Sequence, residues 1–124
     1  MEVQPLITLY GIKRCSTSSK GEKALKEAGI PYEFVDIRTI SPSVEALRQA
    51  LGRVDKIKKI VNTSGQIYRK EHLKDKLDQM SEEEVLDLLH QEGRLVKRPF
   101  ITDGTMSTAG ASEENLKFWI ERGH

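Results

Sequence analysis

A strand, a helix and a second strand follow one another between Leu6 and Asp36. They occupy about thirty residues, the size of a βαβ unit. Leu6-Ile-Thr-Leu-Tyr10 is a compact β-type run closed by Gly11. Ser16 to Ala28 read as a helix. Ser16, Thr17 and Ser18 are N-cap types, Ala24, Leu25 and Ala28 supply an apolar stripe, and Gly29 is a C′ stop. Pro31 forces an extended entry into Tyr32-Glu-Phe-Val-Asp36, where polar and apolar residues alternate. Two strands joined through a helix are parallel, with a right-handed crossover. This unit confines the chain to α/β architectures with helices against a sheet.

The middle of the chain has a different period. Ser41 or Ser43 caps a helix with Pro42 near its first turn, and Val44, Leu47, Ala50 and Leu51 form its stripe as far as Gly52. Val54 to Val61 reads as a second short helix, Asn62-Thr-Ser-Gly65 as a turn, and Leu73 with Leu77 as a further short helix. Ser81-Glu-Glu-Glu84 is a capping box that opens a helix through Val85, Leu88 and Leu89 to Gly93. Strands then return. Phe100-Ile-Thr102 and Thr105-Met-Ser107 flank Asp103-Gly104, a hairpin signal, and a helix from about Ser112 to Arg122 buries Leu116, Trp119 and Ile120. Phe118, Trp119 and Ile120 cannot all face inward, so one of them meets a neighbouring loop or a partner.

The order is β-α-β, a helical block, then β-β-α. It predicts an α/β thioredoxin-like fold, a mixed four-stranded sheet with a helical insertion between its halves. The expected division of one domain is a βαβ half over 1–40, an insertion over 41–94 and a ββα half over 95–124.

Composition narrows the function. Twenty Lys and Arg against 19 Asp and Glu leave a net charge of +1, which predicts no direct nucleic-acid footprint, although Arg53 to Lys59 is locally rich in cations. Met1 to Leu6 lack the cationic and apolar regions of a secretory leader, and no apolar run approaches a membrane span. A single cysteine closes no internal disulfide and suits a reducing cytoplasm. It also argues against a zinc site, which His72, His90 and His124 are too scattered to supply, so no metal is expected.

That cysteine stands in Lys13-Arg-Cys-Ser-Thr-Ser-Ser-Lys20, after a strand and at the opening of a helix. Free N–H groups and the dipole at a helix N-terminus stabilise an anion, and Arg14 and Lys20 add positive charge. Both effects lower a thiol pKa, and the thiolate is the nucleophile. Ser16, Thr17, Ser18 and Lys20 are therefore candidate anion-binding residues around a catalytic Cys15. A lone cysteine is otherwise most often a buried apolar filler. Ser18 takes the place of the second thiol in a C-x-x-C pair. It either donates to the thiolate or serves as a first-turn residue, and any resolving thiol comes from outside, such as glutathione. Lys97-Arg-Pro-Phe100 enters the third strand, with Pro99 as an edge device or a cis turn. In a thioredoxin arrangement this loop faces the cysteine, and Arg98 then offers a forked cation to an oxyanion; otherwise it is a solvated surface arginine. Asn62 heads a turn that either binds an anion or simply reverses the chain.

Together these residues resemble the arsenate reductase/Spx family. The resemblance lies in the Cys-x-Thr-x-x-Lys element of Cys15 to Lys20, Asp36-Ile-Arg38 followed by Pro42, Asn62-Thr-Ser-Gly65, and Leu95 to Pro99, in the family order across nearly the whole chain. It implies a bacterial, cytoplasmic thioredoxin-fold protein. Cys15 matches the family's catalytic or redox cysteine, Arg98 the arginine before the cis proline, and Pro99 that proline. Ser19, Asn62 and about Gly110 stand where the family often has arginines, and Ser18 removes the C-x-x-C switch usual in Spx regulators. The resemblance thus implies a thiol-dependent reductase linked to glutathione or glutaredoxin, with no bound cofactor. The alternative is an Spx-like regulator that docks on RNA polymerase.

Overall fold

The computed structural model describes residues 7–122. Leu6, expected to begin the first strand, the Met1 to Leu6 segment and His124 lie outside the described residues. The elements are β1 (Ile7–Gly11), α1 (Ser16–Glu27), β2 (Tyr32–Asp36), α2 (Val44–Leu51), α3 (Gln66–Lys70), α4 (Leu73–Leu77), α5 (Glu82–Gln91), β3 (Phe100–Thr102), β4 (Ser107–Ala109) and α6 (Glu113–Arg122). A short 3-10 turn at Ile57–Ile60 follows α2 inside the helical block, and another at Gly93–Leu95 closes it.

The strands form one mixed sheet in the order β2-β1-β3-β4. β1 and β2 are parallel, with Leu9 opposite Phe34. β3 runs antiparallel to β1, with Leu9 opposite Ile101, and β4 antiparallel to β3, with Ile101 opposite Thr108. The connection through α1 and this strand order make the fold thioredoxin-like.

Side chains on a strand alternate between faces, so each strand serves two cores. Ile7, Leu9 and Ile101 point to one face and pack with Leu25 of α1 and Leu116 and Trp119 of α6. Trp119 is fully buried and its indole N–H donates to Thr108 Oγ1 at 2.7 Å, which satisfies the one polar group of the ring. Phe100 points to the other face, where Tyr10 meets it edge to face at 6.1 Å. There Ile37, Leu47, Leu86, Leu89 and Val96 join it in a second core under the helical block. The block is tied to the start of β3 by a Val61–Val96 bridge and by Lys97 N–H donating to Ile60 O at 3.0 Å.

Several local expectations shift. Cys15 itself, not Ser16, Thr17 or Ser18, is the N-cap residue of α1. Ser43 rather than Ser41 caps α2, and Pro42 precedes the cap instead of lying in the first turn. The Val54 to Val61 helix contracts to the 3-10 turn at Ile57–Ile60, and α3, which carries no capping side chain, had no sequence signal. The capping box at Ser81 and Glu84 forms as expected. β4 begins at Ser107, two residues later than the Thr105 start expected. The cause is Asp103, whose carboxylate accepts from the N–H groups of Thr105 and Met106 at 2.9 and 2.8 Å and extends the turn. Of the three adjacent apolar residues in α6, Phe118 is the one that meets a loop, with the Arg53 guanidinium 4.0 Å above its ring.

Candidate functional site

β1 ends at Gly11, and the chain must reverse to lay α1 against the sheet. The reversal is a turn in which Cys15 N–H donates to Ile12 O at 3.1 Å, with Arg14 in a left-handed conformation at φ 70°. Gly11 permits close approach of the helix, since a Cβ there would lie 2.6 Å from Ser18 Oγ. Ser18 is fully buried, and its hydroxyl accepts from Ile12 N–H at 3.1 Å. That bond leaves the hydroxyl hydrogen free to point at the cysteine.

Cys15 is half-buried, with its sulfur 3.2 Å from Thr17 Oγ1. This exposure excludes the buried-filler alternative. Burial works against its thiolate, but hydrogen bonds from the Thr17 hydroxyl, from the N–H and hydroxyl of Ser18, and from the Thr17 N–H outweigh it. The thiol is lowered from 9.0 to about 6. The first turn of α1 carries no acidic residue to oppose this. The first-turn N–H groups, one of the two expected effects, are among these donors, whereas Arg14 and Lys20, the other, are exposed and are not among the causes. Ser16 is exposed at the first helical position, with its side chain outside this set.

The Arg98–Pro99 peptide is cis. Pro99 is buried against α1, where a Cβ on Gly21 would come within 2.8 Å of its Cγ. Arg98 is half-buried and, among the described residues, has no ion-pair or hydrogen-bond partner. It lines a cleft of about 220 Å³ with Ile12, Asn62, Gly65, Tyr68 and Arg94. On the side of the Cys15 turn the cleft is lined by Ile12, and Cys15 itself is not among its lining residues. Asn62 contributes little free capacity: its side-chain oxygen accepts from Ser64 N–H at 3.3 Å and its amide donates to Arg94 O at 3.4 Å. One of these bonds closes its own turn and the other ties the turn to the Gly93–Leu95 segment.

Gly110, at about the position where the resemblance implies an arginine, has φ 99°, a conformation that strains any side chain. The Lys97 side chain lies across it, with Cε 3.0 Å from where a Cβ would stand. Arg98 faces the cleft, and Lys97 lines a larger groove of about 550 Å³ with Arg53, Lys59 and Ser112. Among the described residues no helix is long and apolar enough to cross a membrane.

Comparison with known proteins agrees with this fold. The model of the ArsC family matches residues 10–118. YusI of Bacillus subtilis (strain 168), an uncharacterized protein, is 39% identical over 112 residues, covering 90% of this chain and 95% of its own. The global transcriptional regulator Spx 2 of Oceanobacillus iheyensis is 28% identical over 120 residues, covering 94% of this chain and 84% of the relative. Among solved structures, a possible arsenate reductase from Streptococcus mutans UA159 superposes with a TM-score of 0.81 at 32% identity, covering 93% of this chain and 100% of that one.

Proposed function

The chain belongs to the ArsC family, and from that premise we propose that it is a thiol-dependent oxidoreductase of arsenate-reductase type working through Cys15. The observation that carries this reading is the half-buried Cys15 at the N-cap of α1, its sulfur 3.2 Å from Thr17 Oγ1, where first-turn donors lower the thiol to about 6. Near neutral pH such a group is mostly thiolate. The cation we assign to the substrate is Arg98, unpaired among the described residues and lining a cleft that Ile12, three residues before Cys15, also lines.

The chemistry follows from those groups. The Cys15 thiolate attacks the central atom of an oxyanion and displaces a water-level oxygen, forming a bond from sulfur to that atom. Arg98 and the α1 N–H groups stabilise the negative charge as it moves onto substrate oxygens. An external thiol, glutathione being the natural one, then attacks the Cys15 sulfur. The sulfur-to-substrate bond breaks, its electron pair leaves with the reduced product, and Cys15 is left in a mixed disulfide. A second external thiol, from glutathione or a glutaredoxin, releases Cys15 as thiolate. The two electrons gained by the substrate are those lost by two thiols as they form one disulfide. The setting we infer for this cycle is cytoplasmic.

A second reading has specific support. The Spx relatives match nearly the full length of this chain, and where the resemblance implies two oxyanion-binding arginines the sequence has Asn62 and about Gly110. On that reading the chain docks on RNA polymerase without catalysis.

Arsenate reduction coupled to glutathione, followed by intact mass, separates the two. The reductase reading expects turnover and a glutathione adduct on Cys15, with both lost in Cys15→Ser. It expects Arg98→Ala to lower kcat/KM by up to about 3 kcal/mol of transition-state stabilisation. Full activity in Cys15→Ser contradicts it. Absence of both turnover and adduct, with capture of RNA polymerase by the purified protein, establishes the second reading instead.

A further inference from the structure

Lys13 immediately precedes the strained Arg14, and its ammonium is engaged twice. It donates to Glu22 Oε1 at 3.1 Å and lies 4.0 Å from the centre of the Phe34 ring. The same Glu22 oxygen accepts from the Tyr32 hydroxyl at 2.6 Å. Glu22 stands two turns along α1 from Cys15, and its side chain is only 13% exposed. Tyr32 and Phe34 belong to β2. One carboxylate therefore fastens together the reactive loop, its helix and the edge strand.

This cluster has no part in the chemistry proposed above, yet its position matches a need of the site. A non-glycine residue at positive φ persists only where its neighbours hold it there. On its C-terminal side Arg14 is held by Cys15 N–H donating to Ile12 O. On its N-terminal side Ile12 N–H donates to Ser18 Oγ at 3.1 Å, and the next residue, Lys13, is anchored on Glu22 and Phe34. We propose that Glu22 is a positioning residue: through Lys13 and Tyr32 it clamps the Ile12–Cys15 turn so that the Cys15 sulfur stays within reach of the Thr17 and Ser18 donors. This inference rests on Cys15 being the working thiolate.

The sign of one effect separates positioning from simple charge. Removing a negative charge near a thiol, with nothing else changed, stabilises the thiolate and lowers the thiol pKa. Loosening the turn takes the sulfur away from its donors and raises it. Glu22→Ala and Glu22→Gln lose the same charge, but only glutamine keeps an acceptor for Tyr32 and Lys13.

The test is the pH dependence of iodoacetamide alkylation of the single cysteine, in wild type, Glu22→Ala, Glu22→Gln, Tyr32→Phe and a control, Lys23→Met. Lys23 is an exposed cation of the same helix, 4.0 Å from Glu27 and outside the cluster. The clamp predicts a rise of about one unit in Glu22→Ala, so the thiolate fraction at pH 7 falls from about nine tenths to about half. Glu22→Gln stays closer to wild type than Glu22→Ala, and Lys23→Met does not shift. Tyr32→Phe changes no charge and leaves the ring in place, so it serves if Glu22→Ala does not fold, and it too shows a rise. A fall or no change in Glu22→Ala, equal shifts in the two Glu22 variants, or an unshifted Tyr32→Phe overturns the clamp. An ordinary thiol in wild type is a different result: it removes the thiolate reading itself, and the clamp with it.

Discussion

Ser18 links two functions that its position in the chain does not suggest. Its oxygen accepts from Ile12 N–H, and its hydrogen serves the Cys15 sulfur. In Ser18→Ala the half-buried Ile12 N–H loses its acceptor, at a cost of about 1–3 kcal/mol, and the thiol loses a donor. Chemical denaturation and thiol titration of that variant should show a lower unfolding midpoint and a higher Cys15 pKa together. At this scale the sequence locates the nucleophile well, because a cysteine between a β-type run and a helix of polar first-turn residues has few other placements. Of the sources of its activation, the first-turn N–H groups were legible and the Thr17 and Ser18 hydroxyls were less so. Neighbouring cations are visible in a string of letters, whereas the aim of hydroxyl groups depends on the turn, and the turn depends on Arg14 adopting a positive φ. Glu22 gave no signal at all, since it lies on α1 while its partner Tyr32 belongs to β2 and meets it only after the crossover closes.

Between elements, the contact of α1 with the loop before β3 decides how the two halves of the site meet. Gly21 is its tightest point, with the ring of Pro99 2.8 Å from where a Cβ would stand and Leu9 Cδ1 at 3.3 Å. Gly21→Ala gains about 1 kcal/mol of helix propensity. It also forces an overlap with a rigid ring and a core side chain, a kind of overpacking that costs about 1–3 kcal/mol. The overlap wins, so thermal denaturation should give a lower Tm, and Arg98 should be displaced with its loop. Elements with strong punctuation were readable: the Ser81 capping box and the Gly29 stop both fall where expected. Elements without it were not. α3 spans Gln66–Lys70 and begins at a glycine with no capping bond, so neither period nor cap marks it. The start of β4 was misplaced because Asp103 accepts two backbone N–H groups, a choice made by side-chain geometry rather than residue type.

For the whole molecule, one sheet separates two cores, and the site lies at the edge where β1 ends, β3 begins and α1 starts. That architecture was legible because the βαβ unit and the closing hairpin leave few ways to order four strands. Folding also alters the site's titration, so the site feeds back on stability. A thiol at 9.0 in the unfolded chain and at about 6 in the folded one contributes stability in full above pH 9, and loses it as the pH falls towards 6. The sulfur is partly exposed, so solvent screening leaves only a fraction of the shift as stability. The Tm of the wild type relative to Cys15→Ser should therefore rise between about pH 6 and pH 9 and level off beyond. A difference independent of pH across that window means that the fold does not favour the thiolate.

The chain holds one cysteine, so its thiolate can be followed directly by ultraviolet absorbance, with Cys15→Ser as the blank. Titration of the intact protein is the most direct measurement of the central claim. A single transition centred near 6 is the result the structure requires. A transition at the ordinary value of a free thiol, about 8.5, contradicts an activated Cys15 and with it the proposed reductase.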